Sequence, residues 1–210
     1  MANANNCSSE NLYASLDFCE GSVVLPGIRK KAYYIPKRDI AAWPVLPKAS
    51  ASGSTMASLP VYTGNFTLAA DKTWLPLMTL DARNNVRTEA TGEKPSRLNN
   101  NQATLVHPGT AEEAAGFAMQ ANNDDMVYLV QGRDGKFRVI GNEEFATDTQ
   151  VGITLGEGVQ GEAGTTLEVA VLDKAPLPFY PGNIVTPDGT ISGADGSPVT
   201  GNGFSVFSDR

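Results

Sequence analysis

The stretch MVYLVQGRDGKFRVIGNEEF, residues 126–145, decides the fold class. Met126–Gln131 and Lys136–Ile140 are apolar, β-branched and aromatic runs, and Asp134-Gly135 lies between them. Such runs form strands because branched and aromatic side chains pack well on a pleated surface. An Asp-Gly pair tolerates the positive φ angles of a type I′ turn, so the segment predicts a tight β-hairpin.

Working outward, further short strand candidates flank this hairpin. Before it come VYTGNFTLA (61–69), TWLPLMTL (73–80), NVRTEAT (85–91) and QATLVH (102–107); KAYYI near residue 33 is another. After it come TQVGITLG (149–156) and TTLEVAVL (165–172). About eight strands in so short a span predict an antiparallel sandwich or barrel. One helix interrupts them, within GTAEEAAGFAMQANNDD (109–125). Thr110 and Glu113 read as a capping box, and Asn122-Asn123 as a left-handed C-cap. Ala114, Phe117, Ala118 and Ala121 share one face, which puts Phe117 on the sheet.

The chain has 210 residues, a formal net charge of -7 and a pI near 4.7. That length suits one domain with extensions. The acidic balance argues against binding nucleic acid through phosphates, which requires clustered Lys and Arg. It does not argue against a surface that DNA must slide past. The first residues, MANANNCSSENLYASLDF, lack the basic and apolar regions of a signal peptide, and no apolar run reaches membrane-spanning length. Cys7 and Cys19, without a companion His or Cys cluster, read as free thiols. The stretch 48–58, KASASGSTMAS, is a small-residue loop, and PLPFYPGNIVTPDGTISGADGSPVTGNGFSVFSDR (176–210) is too rich in Gly and Pro to bury itself.

Chemistry is sparse. His107, the one histidine, precedes Pro108-Gly109 and has neither a G-x-S-x-G serine nor a nucleophilic cysteine to serve. It reads as a strand-end residue. The pairs Glu112-Glu113, Asp124-Asp125 and Glu143-Glu144 fit a helix first turn, a loop and a turn. Asn123, Asp124 and Asp125 do not have EF-hand spacing. GEKPS (92–96) lacks the phosphate-loop pattern, and the glycines of 152–164 open no helix. Trp43, Trp74, Tyr33, Tyr34 and Tyr62 could form a sugar platform, though such residues are more often core. No catalytic, cofactor-binding or metal-binding residue is singled out, no cofactor is implied, and an enzyme is not expected.

Three segments carry a resemblance: GIRKKAYYIPKRDIAAWP (27–44), GEKPS (92–96) and the helix-hairpin block 107–141 ending in RVIGN. With them the chain resembles the tail tube (major tail) proteins of long-tailed bacteriophages and prophages, particularly those of Bacteroidetes hosts. The resemblance implies two packed antiparallel sheets with a flanking helix, a mainly β fold of the α+β class. It implies hexameric rings in which one sheet per subunit joins a barrel lining the lumen. Stacking would use a long loop, either 48–58 or 92–101, and terminal arms. The implied partners are further copies of the chain and other tail proteins: tape measure, tail terminator and baseplate. DNA would transit the lumen without specific binding, and no membrane is involved. The implied location is the virion tail, assembled in the host cytoplasm.

The expected division is an N-terminal arm (1–25), a β-sandwich (26–182) and an extended C-terminal arm (183–210). Alternatives are another virion structural protein (head decoration, connector or minor tail protein) or a carbohydrate-binding β-sandwich. For a DNA conduit, Glu89, Glu93, Glu143, Glu144, Glu157 and Glu168 are the candidate lumen carboxylates. A bore lined by Arg29, Lys30, Lys31, Arg87 and Arg138 would hold phosphates instead.

Overall fold

The computed structural model describes residues 11–158 and 161–199. Cys7, the first ten residues and 200–210 lie outside them. Strands dominate: β1 (Ile28–Pro36), β2 (Ile40–Ala42), β3 (Thr67–Leu68), β4 (Leu75–Met78), β5 (Asn85–Thr91), β6 (Leu98–His107), then helix α1 (Glu112–Ala121). After the helix come β7 (Met126–Gly132), β8 (Phe137–Ile140), β9 (Asp148–Thr154), β10 (Gly164–Asp173), β11 (Asn183–Thr186) and β12 (Gly189–Ser192).

Two four-stranded antiparallel sheets pack face to face, with orders β4-β1-β7-β8 and β5-β6-β10-β9. The opening hairpin supplies two neighbouring strands of the first sheet, and every residue of β7 is buried. Period-two alternation explains how both faces of that sheet are covered. Met126, Tyr128 and Val130 point between the sheets with Ala32, Leu105, Ile140, Leu167 and Val169. Val127 and Leu129 point the other way, into a second core with Tyr33, Phe66, Trp74, Phe137 and Tyr180.

That second core corrects several expectations. The C-terminal segment does not extend as an arm over its described part. β11 and β12 pair as a hairpin, and Ile184 is fully buried against the first sheet. Its Gly/Pro-rich composition prevents it from burying itself, and the sheet of its own chain supplies the missing surface. Residues 61–69 are not one strand: isolated bridges join Val45 to Thr63 and Val61 to Phe179, and only Thr67–Leu68 pairs as β3. Residues 98–101, expected to be loop, begin β6. Asn11–Phe18 has no regular structure.

Turn and cap chemistry differ as well. Only Gly135 has positive φ in the hairpin loop, and its N–H donates to the Gly132 carbonyl at 3.0 Å while the Gly132 N–H reaches Lys136 O. This is a three-residue loop, a type I turn followed by a left-handed glycine, where a two-residue I′ turn was expected. Arg138 braces it with two bonds to Asp134, the shorter at 2.7 Å. The helix N-cap is Ala111, with no side-chain cap bond, and Thr110 lies outside. Asn122 stays right-handed at φ -64. Phe117 packs edge-on against Tyr34, ring centroids 4.9 Å apart.

Candidate functional site

The two sheets differ in what they leave open. In the first sheet, the outer edge of β8 is taken by the C-terminal segment: Val139 N–H donates to Pro178 O at 2.9 Å, and Phe137 N–H to Gly193 O at 3.1 Å. β4 carries Pro76 opposite Tyr33, and a proline belongs at a sheet edge because it cannot donate to a neighbour. In the second sheet, nothing among the described residues pairs with the outer edge of β5 along its seven residues. At the other edge, among the described residues, the backbone of β9 is hydrogen-bonded at Val151, by the side chain of Asn122.

The outer face of this second sheet is polar. The registers place Arg87, Gln102, Ala170 and Asp148 in one row and Asn85, Thr104, Glu168 and Gln150 in the next, on one face, opposite in direction to the buried Leu105, Leu167 and Val169. Glu89 and Asp148 belong to the same face by the same alternation. Three carboxylates (Glu89, Glu168, Asp148) therefore stand against one guanidinium, Arg87, which bonds Gln102 at 2.8 Å and pairs with Glu89 at 3.6 Å.

The candidate lumen residues separate accordingly. Glu89 and Glu168 share this face. Glu93 lies in the β5–β6 turn, Glu157 follows β9, and Glu143 and Glu144 lie in the turn after β8. Of the cations, Arg29, Lys30 and Lys31 are on β1 and Arg138 on β8, all in the first sheet; only Arg87 reaches the second. His107 ends β6 with Nδ1 at 2.8 Å from the Met78 carbonyl, tying the two sheets together. Trp74, Tyr33 and Tyr62 are buried, so the aromatic group forms no exposed sugar platform. Asp124 and Asp125 pair with Arg38 and Lys37. Among the described residues no cluster of His, Cys, Asp and Glu is arranged for a metal ion, and no helix is long and apolar enough to cross a membrane. Cys19 is a free, exposed thiol.

A second feature is a cleft of about 790 Å³ beside the end of β10. Its apolar wall includes Trp43, Leu46, Met56, Leu59, Tyr62 and Phe145, and Asp173 lies at its floor. Asp173 is 3% exposed; its Oδ1 accepts the Ala175 N–H at 3.0 Å, while Oδ2 is buried without a hydrogen-bond partner. Burial pushes this carboxyl above the usual range, against nearby N–H donors, and the charge of Glu144 adds to the rise. Burial, then the charges of Asp173 and Glu144, raises the Tyr62 hydroxyl too. Residues 173–177 owe their course to two side chains of β6. Asn99 Nδ2 donates to Lys174 O, and the fully buried Asn101 donates to Ala175 O while accepting the Leu177 N–H, each at 3.0 Å. The signal for them was the run Asn99-Asn100-Asn101 at the start of a strand, whose first and third members share the inward face with Ala103 and Leu105.

Comparison with known proteins adds no relative: no family model matches the chain, and neither a curated protein nor a solved structure matches it.

Proposed function

We propose that the chain is a structural subunit that assembles into hexameric rings, stacked as the tail tube of a long-tailed bacteriophage through which DNA passes. The observation that carries this reading is the asymmetry of the two sheets. The first is covered on both faces, while the second keeps a polar face and, among the described residues, an unpaired edge along the seven residues of β5. An open edge is a template for another chain, so a fold that retains one either shields it or uses it for assembly.

Lateral joining of the second sheet between subunits supports a ring of suitable size. Strands lie about 4.8 Å apart and tilt by about 40° in barrels, so six four-stranded sheets enclose a cylinder roughly 45–50 Å across between backbones. Side chains narrow that bore but leave room for a duplex. The face that would line it has a small excess of carboxylates, which lets a polyanion pass without the counterion release that retains it on Lys and Arg. In this arrangement the tape measure, tail terminator and baseplate are the natural neighbours of the tube's lumen and ends.

Negative-stain electron microscopy of the concentrated protein tests the reading. Cylinders of uniform width with a regular axial repeat are expected. Discrete trimers or monomers at all concentrations would instead indicate a decoration or other non-tubular role.

A further inference from the structure

We propose that the cleft above Asp173 binds a small organic cation, a primary ammonium carried on an aromatic or aliphatic body. Asp173 ends β10 opposite Asn99 and lies in the cleft floor, 3% exposed. Only one of its oxygens is used. Oδ1 accepts the Ala175 N–H at 3.0 Å, while Oδ2 is buried without a hydrogen-bond partner.

The cations of the lining do not answer this carboxylate. Lys174 pairs with Glu144, and among the described residues neither Lys174 nor Lys48 forms an ion pair with Asp173. A buried charge without a counter-charge is costly, and a cation placed beside it relieves that cost. The burial that raises this carboxyl also makes a neighbouring ammonium worth more than it would be in water. Burial, then the charges of Asp173 and Glu144, raises the Tyr62 hydroxyl, so both carboxylates bear on the same part of the cleft.

The class of ligand follows from three properties. The lining carries Glu143, Glu144 and Asp173 against Lys48 and Lys174, a net charge of -1 that disfavours an anion. Oδ2 when ionised only accepts hydrogen bonds, so a cation with N–H groups suits it and a quaternary one does not. The wall offers Trp43, Tyr62 and Phe145, whose ring faces attract a cation, and Leu46, Met56 and Leu59 for an apolar body. The volume of about 790 Å³ is that of an organic ligand's site, within the roughly 300–1,000 Å³ such sites span. A bare metal ion fits less well, since among the described residues no His, Cys, Asp and Glu cluster is arranged to hold one.

Phenethylamine is the probe, titrated into the dilute full chain and followed in amide proton–nitrogen correlation spectra. Phenethyl alcohol and phenylacetate are its neutral and anionic counterparts. The amine should bind more tightly than the alcohol, with shifts confined to the Trp43 indole N–H and to amides around Asp173, and phenylacetate should not bind. Asp173→Asn keeps the size of the side chain and removes its charge. It should weaken the amine about tenfold or more, the worth of a hydrogen bond to a charged group, and leave the alcohol unchanged. Glu143→Gln, at an exposed position, should weaken the amine by less than about threefold. No uptake of the amine, as when the chain's own residues 11–25 fill the cleft, overturns the proposal. Equal binding of amine and alcohol overturns it too, as does an Asp173→Asn variant with a native spectrum that binds the amine as the wild type does. The site stands apart from the tube reading, because the titration needs no assembled particle.

Discussion

The side-chain amide of Asn122 engages both backbone groups of Val151: Oδ1 accepts its N–H at 2.6 Å, and Nδ2 donates to its carbonyl at 3.3 Å. The amide thus occupies the position that a residue of a neighbouring strand would take. It stands at the end of α1, where the Asn122 N–H reaches Ala118 O, so the helix carries a plug for the edge of β9.

Replacing Asn122 with Ala should therefore have two effects. Loss of two bonds costs about 1–3 kcal/mol, at roughly 0.5–1.5 kcal/mol for a typical net hydrogen bond. Freeing the edge should also raise lateral self-association. Urea unfolding and light scattering measure the two separately; a variant unchanged in both would remove Asn122 from any role at the edge.

Ile184 has the opposite character, since it belongs to a segment whose composition suggests an arm yet lies fully buried. Nearby, the Tyr180 hydroxyl donates to Asn183 O at 2.8 Å and accepts the Phe66 N–H at 3.0 Å. Ile184→Ala should cost about 2–5 kcal/mol, the range for truncating a large buried aliphatic side chain. Ending the chain at residue 182 should broaden or abolish the cooperative thermal transition. A sharp, unshifted transition in the shortened chain would restore the arm.

These examples show where sequence reasoning stops. The 126–140 hairpin, β5, β9 and β10 were legible because alternation and turn residues act locally, and their bounds came within a residue or two. The covering layer was not, because Tyr180 and Ile184 become core only through a sheet distant in sequence. Asn122 was read as a helix cap, its local use, while its actual partner is 29 residues away. The cleft was invisible for the same reason. Trp43 and Tyr62 looked like a possible platform, but nothing local ties them to Asp173.

Asp173 gives a pH signature. Burial raises its carboxyl pKa above the unfolded value, so the folded state binds the proton more tightly and stability falls as pH rises between the two values. Asp173→Asn removes that dependence while keeping an oxygen for the Ala175 N–H. The variant should be more stable than the wild type at neutral pH, with the advantage shrinking as pH falls through the raised carboxyl pKa. Thermal melts across that interval check it; a constant difference between the two proteins would mean the carboxyl is not held protonated-favouring by its surroundings.

The polar face of the second sheet allows the conduit reading to be tested by charge alone. Glu89, Glu168 and Asp148 against Arg87 give that face a formal charge of -2 per chain. Glu89→Lys with Glu168→Lys leaves Asp148 against three cations, a charge of +2. Both side chains stand outside the cores, so the fold should survive, although the Arg87–Glu89 pair becomes a like-charge contact. Repeated around a ring, the reversal should turn an indifferent bore into one that holds phosphates by counterion release. Assembled wild-type particles should leave double-stranded DNA unbound at physiological salt. Particles of the double variant should retain it at low salt and release it steeply as salt rises. Retention by the wild type, or indifference of the variant, would mean that this face does not line the path of the DNA.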